Sequence, residues 1–237
     1  MDFSLVVPLW NEEKNVPLLV RDLVESGLLQ NGLSQVILVN NGSTDRTGAI
    51  VHDLARQYRW IKGVHLPENL NYGGGVYEGL KHCRTDIVAY IPGDLQVSAG
   101  DLLKVWERYR AACAQRQNRA LVKGRRTVRE DGWNTRVVSV IYTVLANILL
   151  GVRVKDVNGL PKMFHKDLLN FLPDTKMKTF VFDVQLLLTA RKNRWPVHEV
   201  PVAFHARRQG VSSWSRKRAN VYRATLKQMF QLKRLYP

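Results

Sequence analysis

Apolar runs alternate with amphipathic segments along the first half of the chain. Apolar runs at residues 3–9, 35–39 and 87–91 predict strands that are buried on both faces, and residues 62–66 predict a short strand between them. Apolar residues at helical spacing predict helices over residues 16–26, 47–58, 74–83 and 99–115. Strand–helix alternation with short connections is typical of a doubly wound, mostly parallel α/β sheet.

The second half of the chain is less regular. The same patterns predict strands at 120–124, 162–164 and 197–204, and helices at 133–150, 180–191 and 216–235. Polar loops are predicted at 125–132, 151–161 and 207–215, of which the first is basic. No repeat or linker interrupts the sequence, so we predict one α/β domain with a basic, amphipathic C-terminal helix.

The longest apolar stretch, residues 137–150, contains Ser139, Thr143 and Asn147. It is shorter than the roughly 20 apolar residues that span a bilayer, so we expect no transmembrane helix. The segment is then either a core helix or a lipid-facing element. No basic region precedes the first apolar run, so we also expect no signal peptide.

The charge of the chain is strongly positive. Its 237 residues hold 36 Lys and Arg against 20 Asp and Glu, a net charge of +16, and no acid follows Glu199. Such an excess predicts an anionic partner: nucleic acid, an acidic membrane surface or a phosphorylated small molecule. Aromatic residues are not interleaved with the basic run as a base-stacking platform requires, which disfavours nucleic acid. The two cysteines form neither a disulfide framework nor a metal motif.

Four loops that follow predicted strands carry polar side chains, at residues 8–13, 40–45, 69–75 and 92–96. Taken singly, each has a simpler explanation as a helix cap, a tight turn or glycine packing. Together they favour a ligand crevice, because the carboxyl ends of parallel strands open at one edge of the sheet. The glycines at 73–75 are not a dinucleotide fingerprint, which would follow the first strand.

Asp94 and Gln96 directly follow the fourth predicted strand. In an extended chain, residues two apart share a face, and two oxygen ligands so placed suit a hard divalent cation bound to a diphosphate. A second carboxylate is expected two residues before Asp94, but Pro92 stands there. This site therefore has fewer anionic ligands than such a metal prefers.

Ordered blocks of the sequence resemble a known family. VVPLWNEEKNV, VNNGSTDRTG, NYGGGVYEGL and the DLQ after a strand are similar to family 2 glycosyltransferases with the GT-A fold. The later blocks KGRRTVREDGWNTRVVS, DVNGLPKMFHKDLL, FVFDVQLL and EVPVAFHARRQGVSS resemble dolichol-phosphate mannose synthases and related polyprenyl-phosphate glycosyltransferases. The resemblance implies a Rossmann-like GT-A domain over residues 1–215. Its nucleotide-sugar-binding half is 1–118, its acceptor half is 119–215, and the C-terminal helix is 216–237.

The resemblance also implies roles for single residues. Contacts with the nucleoside and its sugar are expected from Pro8, Trp10, Asn11, Glu12, Asn40, Asn41, Asp45 and Gly74. Metal and diphosphate contacts are expected from Asp94 and Gln96, and phosphate contacts from Arg126, Arg136 and Ser139. The remaining blocks place Asp156, Lys162, Asp183, Arg207, Gly210 and Ser212 at the site. Among all of these, Asp94, Arg126 and Asp183 are the expected catalytic residues.

Three features depart from the family pattern. Asn40 and Asn41 replace an acid pair, Pro92 replaces an Asp, and the C-terminus is basic and amphipathic instead of hydrophobic. The resemblance implies Mg²⁺ or Mn²⁺, and the lost acids predict weak metal binding. Arg126, Arg136 and Lys162 are then expected to supply the missing positive charge.

The acceptor class follows from the chemistry of the attacking oxygen. A sugar hydroxyl needs a general base, whereas a lipid phosphate is already ionised. Residues 191–195, RKNRW, have Arg where the hydroxyl-directed branch of the family carries Gln. We therefore predict an inverting transferase that moves a sugar from a GDP- or UDP-linked donor to a polyprenyl phosphate. Transfer to a glycan or small-molecule hydroxyl, and a non-catalytic GT-A pseudo-enzyme, are the alternatives.

The predicted partners follow from this interpretation. They are the nucleotide sugar, the polyprenyl phosphate and an anionic membrane surface, with no nucleic acid. The basic helix at 216–235 has an apolar stripe that suits a membrane surface or packing on the domain. We expect a cytoplasmic, peripheral protein at the inner face of the membrane, and leave a homo-oligomer or a membrane-protein partner open.

Overall fold

The computed structural model describes residues 1–116, 119–174, 177–207 and 218–236. Seven strands and seven α-helices alternate along most of this length. They are β1 Phe3–Leu9, α1 Val16–Glu25, β2 Leu33–Asn41, α2 Thr47–Gln57, β3 Ile61–Leu66, α3 Asn71–Leu80, β4 Ile87–Tyr90, α4 Ala99–Arg116, β5 Leu121–Arg129, α5 Trp133–Leu150, β6 Lys162–His165, α6 Val181–Lys192, β7 Val197–Phe204 and α7 Arg218–Leu235. A 3₁₀ helix at Lys166–Phe171 follows β6.

One seven-stranded sheet runs through the domain in the order β3-β2-β1-β4-β6-β5-β7. Every neighbouring pair is parallel except the two that involve β6, which runs antiparallel to both β4 and β5. The prediction of a single, mostly parallel α/β domain is confirmed. The strand order reverses between β1 and β4, so the crevice outside their carboxyl ends is where such a sheet binds ligands.

The sheet is covered on both faces, as the continuous apolar runs require. The side chains of β1, β2 and β4 are almost wholly buried. Helix α6 is buried at every residue from 181 to 190, which is typical of a helix inside the core of a domain. The core therefore lies on both sides of the β1–β4 switch point and fixes the strand ends that surround it.

The glycine-rich helix α3 lies unusually close to its neighbours. It begins at Asn71, three residues before the predicted start, so glycines 73–75 all lie inside the helix. A Cβ on Gly79 would lie 2.3 Å from Val6 Cγ1, and one on Gly73 would lie 2.5 Å from the Thr179 carbonyl oxygen. Because no larger side chain fits, these glycines let α3 pack directly on β1 and on the segment before α6.

The prediction of a loop at 125–132 was wrong for its first part. Strand β5 continues to Arg129, because β7 offers a parallel partner up to Phe204. The basic residues of this region therefore stand on an ordered strand, which fixes Arg126 in place.

Helix α5 also differs from the prediction. The interpretation of residues 137–150 as a core helix was wrong, since only Thr143 and Ala146 are buried. Its exposed apolar side chains fall on one stripe at helical spacing: Trp133, Val137, Val140, Ile141, Val144 and Ile148. By length and composition alone α5 could cross a membrane, contrary to the expectation of no such helix, and 11% of it is buried.

Helix α7 packs on the domain near α5 and α6. Met229 and Leu232 are fully buried, whereas Phe230 is 55% exposed. The exposed Lys227, on the same helix, keeps a charge at the surface. The side chains of residues 218–225 lie outside the described part, so the predicted apolar stripe is visible only from Leu226 onward.

Candidate functional site

Two side chains that the family resemblance predicts at the nucleoside connect the loops after β1 and β2. Asn11, held at φ 56°, accepts a hydrogen bond from the backbone N–H of Thr44 at 2.8 Å. Asp45 accepts from the backbone N–H of Glu13 at 3.2 Å and of Thr47 at 2.9 Å. Asn11 and Asp45 therefore shape this edge of the crevice through their own loop contacts.

Asn40 and Asn41, the replacements of the usual acid pair, are both engaged. Asn40 lies 3.3 Å from His65 Nδ1 through its amide nitrogen. Asn41 accepts from the backbone N–H of Leu70 and donates to the carbonyl of Asn71, both at 3.0 Å. A carboxylate at position 41 could accept but not donate, so the amide suits this link between the second and third loops.

Pro8, Trp10 and Gly74 occupy different environments. Trp10 is 40% exposed, and its indole offers a stacking surface at the edge of the site. Pro8 lies under α3, where a Cβ on Gly75 would come within 3.2 Å of the ring. Gly74 donates its N–H to the carbonyl of Lys178 at 3.0 Å. The structure therefore gives Gly74 a packing partner in the segment before α6.

At the switch point, one arginine holds two carboxylates. Arg207 Nη2 lies 2.8 Å from Glu12 Oε1, after β1, and 3.3 Å from Asp94 Oδ2, after β4. Glu12 is only 8% exposed and also accepts from the side chain of Asn15 at 2.5 Å. Burial raises the pKa of Glu12 and of Asp94, and the positive charge of Arg207 opposes that shift at both. The two carboxylates thus share one positively charged partner, Arg207.

Gln96 does not share a face with Asp94 as expected. Leu95 adopts φ 62°, and Asp94 accepts from the backbone N–H of Gln96 at 3.2 Å, so the chain turns instead of extending. The Gln96 side chain donates to the carbonyl of His205 at 3.0 Å, and the His205 N–H returns to the Gln96 carbonyl at 2.9 Å. Gln96 therefore ties the β4 loop to the end of β7, two residues before Arg207.

Asp183 and Lys162 lie beneath the crevice, in the core. Lys162 Nζ is 2.9 Å from Asp183 Oδ1, an ion pair without good hydrogen-bond direction, and the Tyr90 hydroxyl donates to the same oxygen at 2.6 Å. Both charged side chains are at most 1% exposed. Burial lowers the pKa of Lys162, and Asp183 opposes that shift. Neither side chain is open to solvent, whereas the prediction had placed both at the substrate.

Arg126 pairs with the carboxylate of Asp156 in the second half of the sheet. It makes a bidentate pair with Asp156, through Nε at 2.8 Å and Nη2 at 2.7 Å, and its backbone N–H also donates to Asp156. Burial alone would raise the pKa of Asp156, but the hydrogen bonds and charge of Arg126 outweigh it and hold this pKa well below the usual range. The guanidinium also lies 5.2 Å from the centre of the Phe204 ring.

Two further predicted residues lie on α5. Arg136 is exposed on the first turns of α5. Ser139 accepts from Arg129 Nη2 at 3.2 Å. Gly210 and Ser212 lie outside the described residues, so their predicted roles stay predictions.

Two buried hydroxyls were missed by sequence reasoning. Within the described part of the chain, the hydroxyls of Tyr72 and Tyr142 are buried without a hydrogen-bond partner. Tyr72 could have been noticed as the one bulky residue of the glycine-rich block NYGGG. Tyr142 stands in an apolar helix and gave no signal.

Comparison with known proteins identifies the family of this chain. The pattern described as glycosyl transferase family 2 matches residues 4–171. The chain belongs to glycosyl transferase family 2. It is 26% identical over 214 residues to the dolichyl-phosphate beta-glucosyltransferase ALG5D of Trichomonas vaginalis, covering 85% of this chain and 65% of that protein. The dolichyl-phosphate beta-glucosyltransferase ALG5A of that organism is 25% identical, also with 85% and 65% covered. The chain thus spans about two thirds of the length of these relatives.

Solved structures support the GT-A fold. The glucosyl-3-phosphoglycerate synthase of Mycobacterium tuberculosis, crystallised with Mn²⁺, UDP and phosphoglyceric acid, superposes with a TM-score of 0.66. It is 19% identical, with 96% of this chain and 78% of that chain covered. The same enzyme was also crystallised with Mg²⁺ and UDP. The resemblance to family 2 glycosyltransferases and the predicted fold are therefore confirmed.

The family 2 site can be tested for its fit to a divalent cation. The described residues contain no cluster of three or more His, Cys, Asp or Glu that could hold a metal. Glu12 and Asp94 nevertheless converge on one positive group, Arg207. Mg²⁺ in particular binds through one or two carboxylates together with substrate phosphates, so this pair fits a cation that arrives with a diphosphate. Gln96 is engaged elsewhere, as its contacts with His205 show.

The buried Lys123 beside Asp156 gives a pH-dependent prediction. Its ammonium donates to the carbonyls of Gly124 and Asp156, and burial lowers its pKa to about 8 from an ordinary 10.5. Between these values the unfolded chain holds a proton that the folded chain lacks, so Lys123 makes stability rise with pH. The free energy of unfolding of the wild type, minus that of Lys123→Met, should grow by about 3 kcal/mol from pH 8 to 10.5.

Urea denaturation of both proteins across this range measures the difference. A difference that stays constant would show that the Lys123 ammonium keeps its ordinary pKa in the fold.

Proposed function

We propose that this family 2 protein is an inverting glycosyltransferase that moves glucose from UDP-glucose to a polyprenyl phosphate at a membrane surface. The observation that carries the proposal is the carboxylate pair of Glu12 and Asp94, held by Arg207 at the switch point of a GT-A sheet. Glucose and the lipid phosphate are suggested by the names of the dolichyl-phosphate beta-glucosyltransferases that the chain resembles. UDP is suggested by the ligands of the structurally similar synthase.

The first two loops form the nucleoside end of the site in this proposal. Trp10 offers an exposed indole for a base, and Asn40 has a polar side chain at the exposed edge. The diphosphate then lies toward Asp94. A divalent cation bound there would neutralise charge on the leaving diphosphate. Arg207 is the residue of this chain that has to move away from the carboxylates, because its guanidinium holds both of them.

The burial of Asp183 favours a phosphate acceptor. A hydroxyl acceptor requires a general base within hydrogen-bond reach of the attacking oxygen, and Asp183 is enclosed and paired with Lys162. An ionised phosphate oxygen needs no base. It attacks the anomeric carbon as the bond from that carbon to the diphosphate breaks, and the bonding pair leaves with UDP. Displacement from the opposite side inverts the anomeric centre.

The structure also sorts the cations that could contact phosphates. Arg126 and Lys162 are buried and paired with Asp156 and Asp183, so their charges hold the fold together. Arg136 is exposed on α5, and the Nε of Arg207 is buried without an acceptor. We therefore assign the phosphate contacts to Arg136 and Arg207. A planar guanidinium suits a phosphate well.

A lipid acceptor explains the exposed face of α5. Six large apolar side chains line one stripe of this helix. A contiguous apolar surface of this kind marks an interaction site on a water-exposed protein. The net charge of +16 suits an anionic membrane. The cytoplasmic, peripheral location stays a prediction, and the same holds for the division into halves at residue 118.

Transfer activity tests the proposal against the pseudo-enzyme alternative. The protein, incubated with radiolabelled UDP-glucose, a polyprenyl phosphate and Mg²⁺ or Mn²⁺, should form an organic-extractable glucolipid. Asp94→Asn should lower turnover at least a hundredfold, because the carboxylate that attracts the cation is lost. Asp53→Asn, an exposed position on α2, is the matched control and should keep full activity.

Circular dichroism checks that both variants fold. Equal turnover of Asp94→Asn and wild type would remove Asp94 from the site. An absence of product with UDP-glucose, with glucolipid formed from another nucleotide sugar, would correct the donor alone. An absence of product from every donor would favour the pseudo-enzyme.

Vesicle binding tests the α5 face. Ile148 is 74% exposed, and burying such a side chain in lipid is worth about 1.5–3 kcal/mol. Ile148→Glu should therefore weaken co-sedimentation with phosphatidylglycerol–phosphatidylcholine vesicles by about tenfold or more. Val24→Glu changes an exposed apolar residue on α1, 42% exposed, and should bind as the wild type does. Equal binding of the two variants would contradict a membrane contact through α5.

A further inference from the structure

Glu130, directly after β5, holds the chain that leads from β7 to Arg207. Its backbone N–H donates to the carbonyl of Phe204, the last residue of β7, at 3.0 Å. Its side chain accepts from the backbone N–H of Ala206 at 2.9 Å. These two bonds lie on either side of His205, and the second ends one residue before Arg207. Glu130 therefore fixes the backbone from which the Arg207 side chain extends.

Packing restrains this part of the chain only weakly. A cavity of about 290 Å³ lies beside it, and Glu130, His205 and Ala206 are among the residues that line the cavity. Ala206 is exposed, and the side chains of Glu130 and His205 are about half exposed. Hydrogen bonds therefore determine where the backbone runs, from Glu130 at residues 204 and 206 and from Gln96 at residue 205.

The turn that carries Glu130 is itself fixed. Arg129 pairs with Asp131 through two hydrogen bonds, and it also donates to Ser139 of α5 at 3.2 Å. The side chains of Arg129 and Asp131 are less than 10% exposed. Glu130 thus stands between two anchored neighbours. Its carboxylate makes a charge-assisted hydrogen bond to Ala206, which is stronger than a bond between neutral groups.

We propose that Glu130 is a positioning residue for Arg207, which it holds where the guanidinium reaches the two carboxylates of the switch point. Those contacts are 2.8 Å to Glu12 and 3.3 Å to Asp94. The inference rests on the proposed function, in which Arg207 leaves the carboxylates when a cation arrives with the diphosphate. Glu130 then keeps the backbone in place, so that only the Arg207 side chain moves and its charge stays near the leaving group.

This role makes Mn²⁺ affinity and turnover change in opposite directions when the contact is lost. Without Glu130, the guanidinium of Arg207 is less often at the carboxylates, so it competes less with a cation and Mn²⁺ binds more tightly. Turnover falls, because the same guanidinium is less often near the diphosphate. Damage to the local structure would instead lower both quantities.

An electron paramagnetic resonance titration with Mn²⁺ alone compares Glu130→Ala and Glu130→Gln with the wild type. Glu130→Ala should bind Mn²⁺ about two- to fivefold more tightly, the effect of one partly exposed hydrogen bond. Glu130→Gln loses the same charge but keeps an oxygen that accepts from Ala206, so its affinity should stay within about twofold of the wild type. Glu107→Ala removes an exposed acid on α4 and should change nothing.

The Arg207→Gln background tests whether the effect passes through Arg207. There Glu130→Ala should leave Mn²⁺ affinity unchanged, because the residue that Glu130 positions is gone. Glucolipid formation from UDP-glucose should fall about fivefold in Glu130→Ala and be restored in Glu130→Gln. Weaker or unchanged Mn²⁺ binding by Glu130→Ala, or the same gain in both backgrounds, would overturn the positioning role.

The two readouts also separate this inference from the proposed reaction. The predicted Mn²⁺ results without any glucolipid from the wild type would support the role of Glu130 and reject the reaction. Glucolipid formation by the wild type with equal turnover and equal Mn²⁺ affinity in Glu130→Ala would reject Glu130 alone. If neither the wild type nor Arg207→Gln binds Mn²⁺, the cation site fails and the inference fails with it.

Discussion

The contact of Arg207 with Glu12 and Asp94 joins three parts of the chain that are far apart in sequence. Glu12 follows β1, Asp94 follows β4 and Arg207 follows β7. Burial raises the pKa of both acids, so two carboxylates this close need a positive group between them. The turn at Asp94 and the bonds between Gln96 and His205 then fix where that positive group stands. The crevice is therefore an electrostatic junction of the two halves of the sheet.

The other buried charges serve the fold around this junction. Arg126 with Asp156 and Lys162 with Asp183 are close pairs of low exposure. Removing one partner of such a pair would leave an uncompensated charge in the interior. Their positive charges are consequently unavailable to a substrate. Among the cations predicted at the site, we therefore propose Arg136, at the surface, and Arg207, whose Nε has no acceptor within the described structure, for the phosphate contacts.

Sequence reasoning reached the fold because buried strands leave continuous apolar runs, and the order of loops at one sheet edge follows from parallel strands. The predictions were wrong where contacts between residues far apart in the sequence determine the local structure. Strand β5 passes through a basic stretch because β7 pairs with it. Gln96 turns away from Asp94 because Leu95 adopts a left-handed conformation. Asp183 was expected at the substrate but lies in the core. The sequence does not distinguish these positions, because a carboxylate beside apolar residues occurs both in strand-end loops and in buried ion pairs. Of the two interpretations of α5, the core helix was wrong, because an apolar pattern alone does not tell whether a helix face is buried or exposed.

The account depends on Glu12 and Asp94 forming a site that accepts one cation at a time. An electron paramagnetic resonance titration with Mn²⁺ alone, comparing the wild type with Arg207→Gln, tests this most directly. The variant removes the guanidinium and leaves both carboxylates in place, so the account predicts tighter Mn²⁺ binding by the variant. Equal or weaker binding by Arg207→Gln would contradict the account, because Arg207 would then not occupy the place of a divalent cation.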